Sequence, residues 1–497
     1  MKLRVKDLAI STGNPLVALI NNVDAIKHDL HFADRVRIQK GSKSITAILD
    51  ITDSADILLP GQIGLFKEVY SQIKAKDDDI VNIHLENKPK SIEHIKKKMA
   101  NRRLNKREMK EIVEDIVKGR LSEIELTYFV SATYINELSN DEIVYLIRSI
   151  INTGDTLNLN KKLVVDKHCI GGVAGNRTTM IVVPILAAAG LTVPKTSSRS
   201  ITSASGTADT VEVLCNVSYP LNKMKEIVKN INACLMWGGS MNLAPADDKI
   251  IKVEHPMSLD PIGQLIASIL AKKKSVSATH VLIDIPVGKG CKTENSARAK
   301  LLKKKFETLG KKVGMKVRVV VTDGSQPIGN GIGPALEARD VLWTLQDSEY
   351  SAKDLKGKSI HLAGQILEMV HKAKKGHGWR MAKEILESGK AHEKFNEIIE
   401  AQDAKIAFPE QIELGIYTKT MKAEKSGTVK HLDNKAINRV ARIAGAPHDK
   451  KAGVYLHVHK NYKIKKNQEL ITIYADSKQR LNYAEYCFKT IQPINIS

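Results

Sequence analysis

The chain has 497 residues, 42% of them hydrophobic and 27% charged, with a formal net charge of +22. That length is too great for one ordinary core and reads as about two to four domains, while the ordinary apolar content excludes a largely disordered chain. No run of about 18 apolar residues occurs, which excludes a membrane-spanning helix, and the opening MKLRVKDLAISTGNPLVALI lacks the apolar stretch of a signal peptide, so a cytoplasmic chain is expected.

Residues 1–86 read as a β-rich domain: VRIQKGSKSITAILDIT alternates apolar and polar side chains around a Gly-Ser turn. The lysine-rich ENKPKSIEHIKKK then leads into a helical domain over 87–160. In LSNDEIVYLIRSIINTGDTL, Ser139 suits a helix N-cap, Asp141 and Glu142 suit the positive end of the dipole, Ile143, Leu146, Ile147 and Ile150 form one apolar stripe, and Gly154 ends the helix. From 163 the pattern alternates strand, loop and helix. KLVVDKH, LTVPKTSS, VSATHVLIDIPVGKG and KVRVVVTDGSQP read as strands ending in loops, and TTMIVVPILAAAG reads as a buried helix. The helical stretch MSLDPIGQLIASILAKKKS interrupts this series, so 241–275 are assigned back to the helical domain, leaving 161–240 and 276–425 as a parallel α/β domain and a cleft between the two. Residues 426–497 read as an α+β module.

The charge excess first points to nucleic acid. It is mostly lysine in IEHIKKKMANRRLNKREMK and KLLKKKFETLGKKVGMKVR, and only 4% of residues are aromatic, leaving almost nothing in these runs to stack on bases. A solvated basic surface, or steering of anionic substrates, is expected instead. Cys169, Cys215, Cys234, Cys291 and Cys487 lie far apart with no CxxC pair, which argues against structural zinc and a disulfide framework. Only Cys169 lies in a loop of interest, as a tolerated small residue or as a reactive thiol.

Two loops carry the chemistry: DKHCIGGVAGNRTT at 166–179 and PKTSSRSITSASGTAD at 194–209. Gly171, Gly172 and Gly175 let backbone approach an anion, Lys167 and His168 precede them, and Thr178 and Thr179 open the next helix, where N–H groups point outward. The second loop adds the hydroxyls of Ser197, Ser198, Thr202, Ser203 and Thr207 and the guanidinium of Arg199. Neither loop is a Walker A or GxGxxG motif. With no nearby carboxylate pair for a metal, the expected ligand is inorganic phosphate, as co-substrate, with no metal and no other cofactor.

DKHCIGGVAGN, KTSSRSITSASGTADT, SLDPIGQLIASIL and GIGPALEARDVL resemble the thymidine/pyrimidine-nucleoside phosphorylase family, and most closely its long-form AMP phosphorylase branch, which carries an extra N-terminal domain. The resemblance covers nearly the whole chain and implies a multidomain α/β fold: a helical domain, a parallel or mixed-sheet α/β domain with an active-site cleft between them, an extra β-rich N-terminal domain and a C-terminal α+β module. It implies a homodimer or larger homo-oligomer. It also implies phosphate held by Lys167, Thr179, Ser197 and Thr207, nucleotide held by Gly172, Ser198, Arg199, Ser200, Ile201, Thr202, Ser203, Thr207, Ser268 and Lys292, and a proton donor at Asp260. The family's serine after the Lys-His pair is Cys169 here, a poor donor. Of the base-binding Arg, Ser and Lys of the pyrimidine-specific enzymes, Ser268 and Lys272 fit the last two, and the arginine's place falls at or near Val253. Arg199 and Lys292 are then candidates to neutralise a substrate 5′-phosphate.

Two roles remain open for Asp260, a general acid or a helix N-cap before Pro261, and two for His168, a second acid or a packed loop residue. The implied activity is phosphorolysis of nucleoside 5′-monophosphates, with AMP foremost and CMP and UMP as further candidates. The alternative is thymidine phosphorolysis, and behind it a magnesium-dependent phosphoribosyltransferase or a nucleic-acid-binding protein.

Overall fold

A computed structural model describes residues 1–13, 15–257 and 259–497, so Ser258 of the SLDP stretch lies outside the described residues. The chain packs as two compact units, Met1–Thr153 with Pro245–Ala267, and Gly154–Ala244 with Ser268–Ser497.

In the first unit six strands close into a barrel: β1 (Lys2–Asp7), β2 (Val17–Asn21), β3 (Arg35–Lys40), β4 (Lys43–Thr52), β5 (Gln62–Leu65) and β6 (Ile80–Leu85), in the order β1-β5-β2-β4-β3-β6. The alternation in the sequence becomes the β3–β4 hairpin, with Val36 opposite Ala47 and Ile38 opposite Ile45. Val36, Ile38, Ala47 and Leu49 fill the barrel core with Leu3, Val5, Ala18 and Ile20, as a two-residue period requires when one face is buried.

The same unit contains the helices Ser91–Met99, Lys106–Val117, Glu123–Ile135, Asn140–Thr153 and Pro245–Met257. Asn105 with Glu108, and Ser122 with Glu125, form capping boxes that fix two of the N-termini. Ile143, Leu146, Ile147 and Ile150 are buried, and the Ser139 hydroxyl accepts a hydrogen bond from Glu142 N at 3.4 Å. Glu142 does more than meet the dipole: its carboxylate accepts from Leu104 N at 2.9 Å and Ser139 N at 2.8 Å, and pairs with Lys98 at 3.1 Å, both side chains 2% exposed. A buried pair is tolerable because those amides satisfy the carboxylate as well.

The second unit is built on parallel strands β7 (Val165–Cys169), β8 (Val193–Ser197), β9 (Ala233–Trp237), β10 (His280–Val287) and β11 (Lys316–Asp323). They form two sheets, β11-β10-β7 and β8-β9, joined where Val165 N donates to the Thr192 carbonyl at 2.9 Å. From β7 the chain runs to β8 and β9 on one side, then returns to β10 and β11 on the other. Strand order therefore reverses beside β7, and ligands of open α/β sheets bind beyond the carboxyl ends at such a reversal. The helix Thr178–Ala188 is apolar all round and buried along its length, as a helix covered on every side must be.

The C-terminal part holds the helices Asn434–Ala444 and Lys478–Ile491 among antiparallel strands. Its sheet draws in Tyr417–Lys422, which pairs with Glu469–Ala475, and the short strand Gly331–Ile332, which pairs with Gly453–Leu456. The sheet thus begins before residue 426, because Tyr417–Lys422 finds its hydrogen-bond partners there. Among the described residues no helix is long and apolar enough to cross a membrane.

Candidate active site

The loop after β7 is shaped by glycines that nothing larger could replace. Gly172 has φ +94°, and a Cβ there would lie 2.6 Å from Lys292 N in the loop after β10. Gly175 has φ +68°, and its Cβ would lie 2.3 Å from the Ile328 carbonyl. Both positions need the left-handed region and a bare backbone face. The loop ends at Thr178 and Thr179, the first residues of the buried helix.

Lys167 reaches that helix start. Its side chain is buried, and its Nζ donates to Thr178 Oγ1 at 2.7 Å and to Thr179 Oγ1 at 3.4 Å. Burial pushes its pKa down. An ammonium removed from water and held against the positive end of a helix is poorly compensated until an anion joins it.

Two buried carboxylates beside the loop went unseen in the sequence. Asp166 accepts from Lys167 N at 2.7 Å and pairs with Lys273 at 2.8 Å and Lys195 at 3.7 Å. Asp284 pairs with Lys358 at 3.2 Å and accepts from Thr322 Oγ1 at 2.6 Å. Burial alone would raise the Asp284 pKa, but Lys358, Lys167 and the Thr322 hydroxyl outweigh it and hold the carboxyl low. Lys195, by burial and then by its neighbour Lys273, is pulled down to about 7 despite Asp166. The carboxylates are thus met by lysines on the floor of the site.

His168 stands among these cations. Burial, and then the charges of Lys273, Lys195, Lys167 and Lys272, push its pKa well below 6.5. Of the two roles left open for it, a second acid or a packed loop residue, this setting disfavours a charged imidazole. The folded state resists a proton that the unfolded chain accepts near pH 6.5, so stability from this group is lost as pH falls below about 6.5. We expect melting temperature to drop across that range, less so in His168→Gln, and any acid limb of kcat/KM at about pH 6–7, where the phosphate substrates themselves titrate, to persist in that variant. Cys169 is not a reactive thiolate, since burial raises its pKa to about 11, and its sulfur accepts from Asn176 Nδ2 at 3.3 Å.

The second loop leaves β8 at Ser197, whose hydroxyl is buried and has no hydrogen-bond partner among the described residues. Asp209 organises the loop from the helix Thr207–Leu214, accepting from Ser200 N at 2.7 Å and Gly206 N at 2.9 Å. Gly206 must be bare, because a Cβ would lie 2.5 Å from Ser200 N. The Ser200 hydroxyl donates to the Ser203 carbonyl, and the Ser203 hydroxyl donates to the Ser205 carbonyl at 2.9 Å. Ser198, Ile201 and Thr202 are exposed at the loop surface.

Arg199 departs from expectation. Its guanidinium makes two bonds to Glu212, at 2.7 and 2.6 Å, and one to Asp209 at 3.3 Å, and lies 4.7 Å from the centre of the Trp237 ring. Its charge is already met by two carboxylates, so in this conformation it braces the loop rather than offering a free cation to a 5′-phosphate.

Sequence reasoning missed the brace between the loops. Arg177 Nη1 donates to Thr207 Oγ1 at 2.9 Å, its Nη2 to the Ser205 carbonyl at 2.8 Å, and its Nε to Glu337. Glu337 belongs to the GIGPALEARD stretch, and an acid inside that apolar run is the one signal that could have marked it. The remaining predicted residues fall in two places. Ser268 and Lys272 lie half-buried one turn apart on the helix Ile262–Ser275, and Lys292 is exposed after β10, its backbone against Gly172. Asp260 is half-buried just ahead of the same helix, but belongs to the first unit, whereas the two glycine-hydroxyl loops belong to the second.

A lysine-and-hydroxyl cluster at the switch point of a parallel sheet, in a chain that also carries a helical bundle and a C-terminal α+β part, defines a class. Residues 161–392 match the a/b domain of a glycosyl transferase family, residues 92–154 its helical bundle domain, and residues 428–495 the pyrimidine nucleoside phosphorylase C-terminal domain. The chain belongs to the thymidine/pyrimidine-nucleoside phosphorylase family of glycosyl transferases.

Within that family it is similar to AMP phosphorylases. It is 47% identical to that of Pyrococcus furiosus and 48% identical to that of Pyrococcus horikoshii, each over 498 residues, 100% of this chain and 98% of the relative. It is 44% identical over 480 residues to the AMP phosphorylase of Methanococcus vannielii, covering 96% and 95% of the two chains. Anthranilate phosphoribosyltransferase (TrpD) from Thermus thermophilus resembles it with a TM-score of 0.52 at 17% identity, over 62% of this chain and 98% of that one. At that identity the likeness is one of fold alone.

Proposed function

We propose that the chain catalyses phosphorolysis of nucleoside 5′-monophosphates, converting AMP and inorganic phosphate to adenine and ribose 1,5-bisphosphate. The observation that carries the phosphate site is Lys167, buried against the Thr178 and Thr179 hydroxyls at a helix N-terminus, with the unpartnered Ser197 hydroxyl at the start of the second loop. The full-length similarity to AMP phosphorylases supports the choice of substrate.

In this reading a phosphate oxygen attacks C1′ of the ribose from the face opposite the base. The C1′–N bond breaks, its electron pair leaves with the base, and Asp260 supplies the proton the base takes up. Lys167, Thr179, Ser197 and Thr207 hold the phosphate, and Gly172, the run Ser198–Ser203 with Arg199 as its brace, Ser268, Lys272 and Lys292 receive the nucleotide. Holding both reactants in one geometry removes much of the entropic barrier. The phosphate charge is met by lysine and hydroxyl donors, with no metal assigned a role, and a homo-oligomer is proposed as the working form.

The test is base release from AMP, CMP, UMP, thymidine and uridine, with and without phosphate, and with and without a chelator. Phosphate-dependent, chelator-insensitive release from AMP is expected. Release only from thymidine or uridine would move the enzyme to the nucleoside branch, and a strict magnesium requirement would favour a phosphoribosyl transfer instead.

A further inference from the structure

We propose that the helix Asn434–Ala444 positions both phosphate loops through three side chains, Asn434, Asn438 and Arg442, an assignment that rests on the function proposed above. The residues are spaced by four, so they drift only about 40° per step around the helix and lie along one side of it. Each meets a different part of the site. Asn434 is fully buried; its Oδ1 accepts from Ala174 N in the loop after β7 at 3.0 Å, and its Nδ2 donates to the Gly324 carbonyl in the loop after β11 at 3.0 Å. Asn438 Oδ1 accepts from Ala204 N in the second loop at 3.0 Å, and its Nδ2 donates to the Asn434 carbonyl at 3.0 Å. Arg442 Nη1 donates to the carbonyls of Ile201 at 2.8 Å and Ser203 at 3.3 Å.

These contacts answer a physical need. The run Ser198–Ser203 consists of four hydroxyl residues, Arg199 and one exposed isoleucine, so it has few apolar anchors of its own. Backbone amides that are to receive an anion have to be ordered before it arrives, or the ordering entropy is subtracted from binding. A carboxamide suits the task because it accepts from one loop and donates to another without introducing charge. None of the three side chains is assigned to substrate contact; they act through the loops they hold.

Arg442 is exposed, so Arg442→Ala should leave folding intact. We expect it to raise KM for AMP about tenfold, from the loss of its charge-assisted hydrogen bonds to the loop, with the KM for phosphate and the melting temperature near wild type. Asn438→Ala, which removes the acceptor for Ala204 N, should do the same. Amide hydrogen exchange over 198–206 in the substrate-free protein should quicken in Arg442→Ala and Asn438→Ala only. Values of KM within about twofold of wild type together with unchanged exchange in both alanine variants would overturn the proposal. If the wild type releases no base from AMP, the functional reading fails, and the exchange comparison alone then decides whether the helix orders the loops.

Discussion

Replacing Lys167 by methionine should lower kcat/KM for phosphate by about 10²–10³-fold without lowering the melting temperature. Methionine keeps an unbranched stem of similar volume at this buried position and removes only the ammonium. The activity falls because the remaining donors at the helix start, the Thr178 and Thr179 hydroxyls, carry no charge to set against a phosphate dianion. Stability holds because burial, the largest influence on the ammonium and a downward one on its pKa, outweighs its attraction to Asp284, and Asp284 keeps Lys358 and the Thr322 hydroxyl when Lys167 is gone. The measurements are steady-state kinetics with phosphate varied at saturating AMP, and a thermal melt. A fall of less than about threefold in kcat/KM would place the phosphate elsewhere.

Asp260→Asn should reduce kcat for AMP by about 10²–10⁴-fold, the usual contribution of general acid catalysis. Asparagine preserves shape and can still cap the following helix, so a residue that only caps would lose little on this change. The two roles separate further with the leaving group. An N7-methylated purine nucleotide departs without needing a proton, so its turnover should be nearly the same in wild type and variant. Equal losses for both substrates would assign Asp260 to structure rather than to proton donation.

What could be read from the sequence was local. The hairpin of β3 and β4, the apolar stripe of Asn140–Thr153 and the two glycine-hydroxyl loops each depend on residues within a few positions of one another, where turn chemistry and periodicity act directly. What escaped depends on pairings the chain makes at long range. Arg177 meets Glu337 across 160 residues and Asn434 meets Ala174 across 260, and neither partner carries a mark that names the other. The buried lysine–aspartate pairs escaped for a related reason: Asp166 stands in the first loop's own motif, but its partners Lys195 and Lys273, and Asp284 opposite Cys169, are brought there only by the fold. Arg199 shows the limit of reasoning from residue type: a guanidinium in a phosphate loop reads as a ligand until its carboxylate partners, ten and thirteen residues on, fold back onto it.

The barrel of the first unit has a consequence for how this protein can meet others. All six strands have partners on both sides, because the sheet closes on itself in the order β1-β5-β2-β4-β3-β6. A closed sheet offers no row of unsatisfied amides and carbonyls to an incoming strand, so neither templated aggregation nor recruitment by strand addition can begin there. Whatever recognition the domain performs has to be made by side chains on its outer face, and these can change in sequence without touching the ladder that holds the barrel shut.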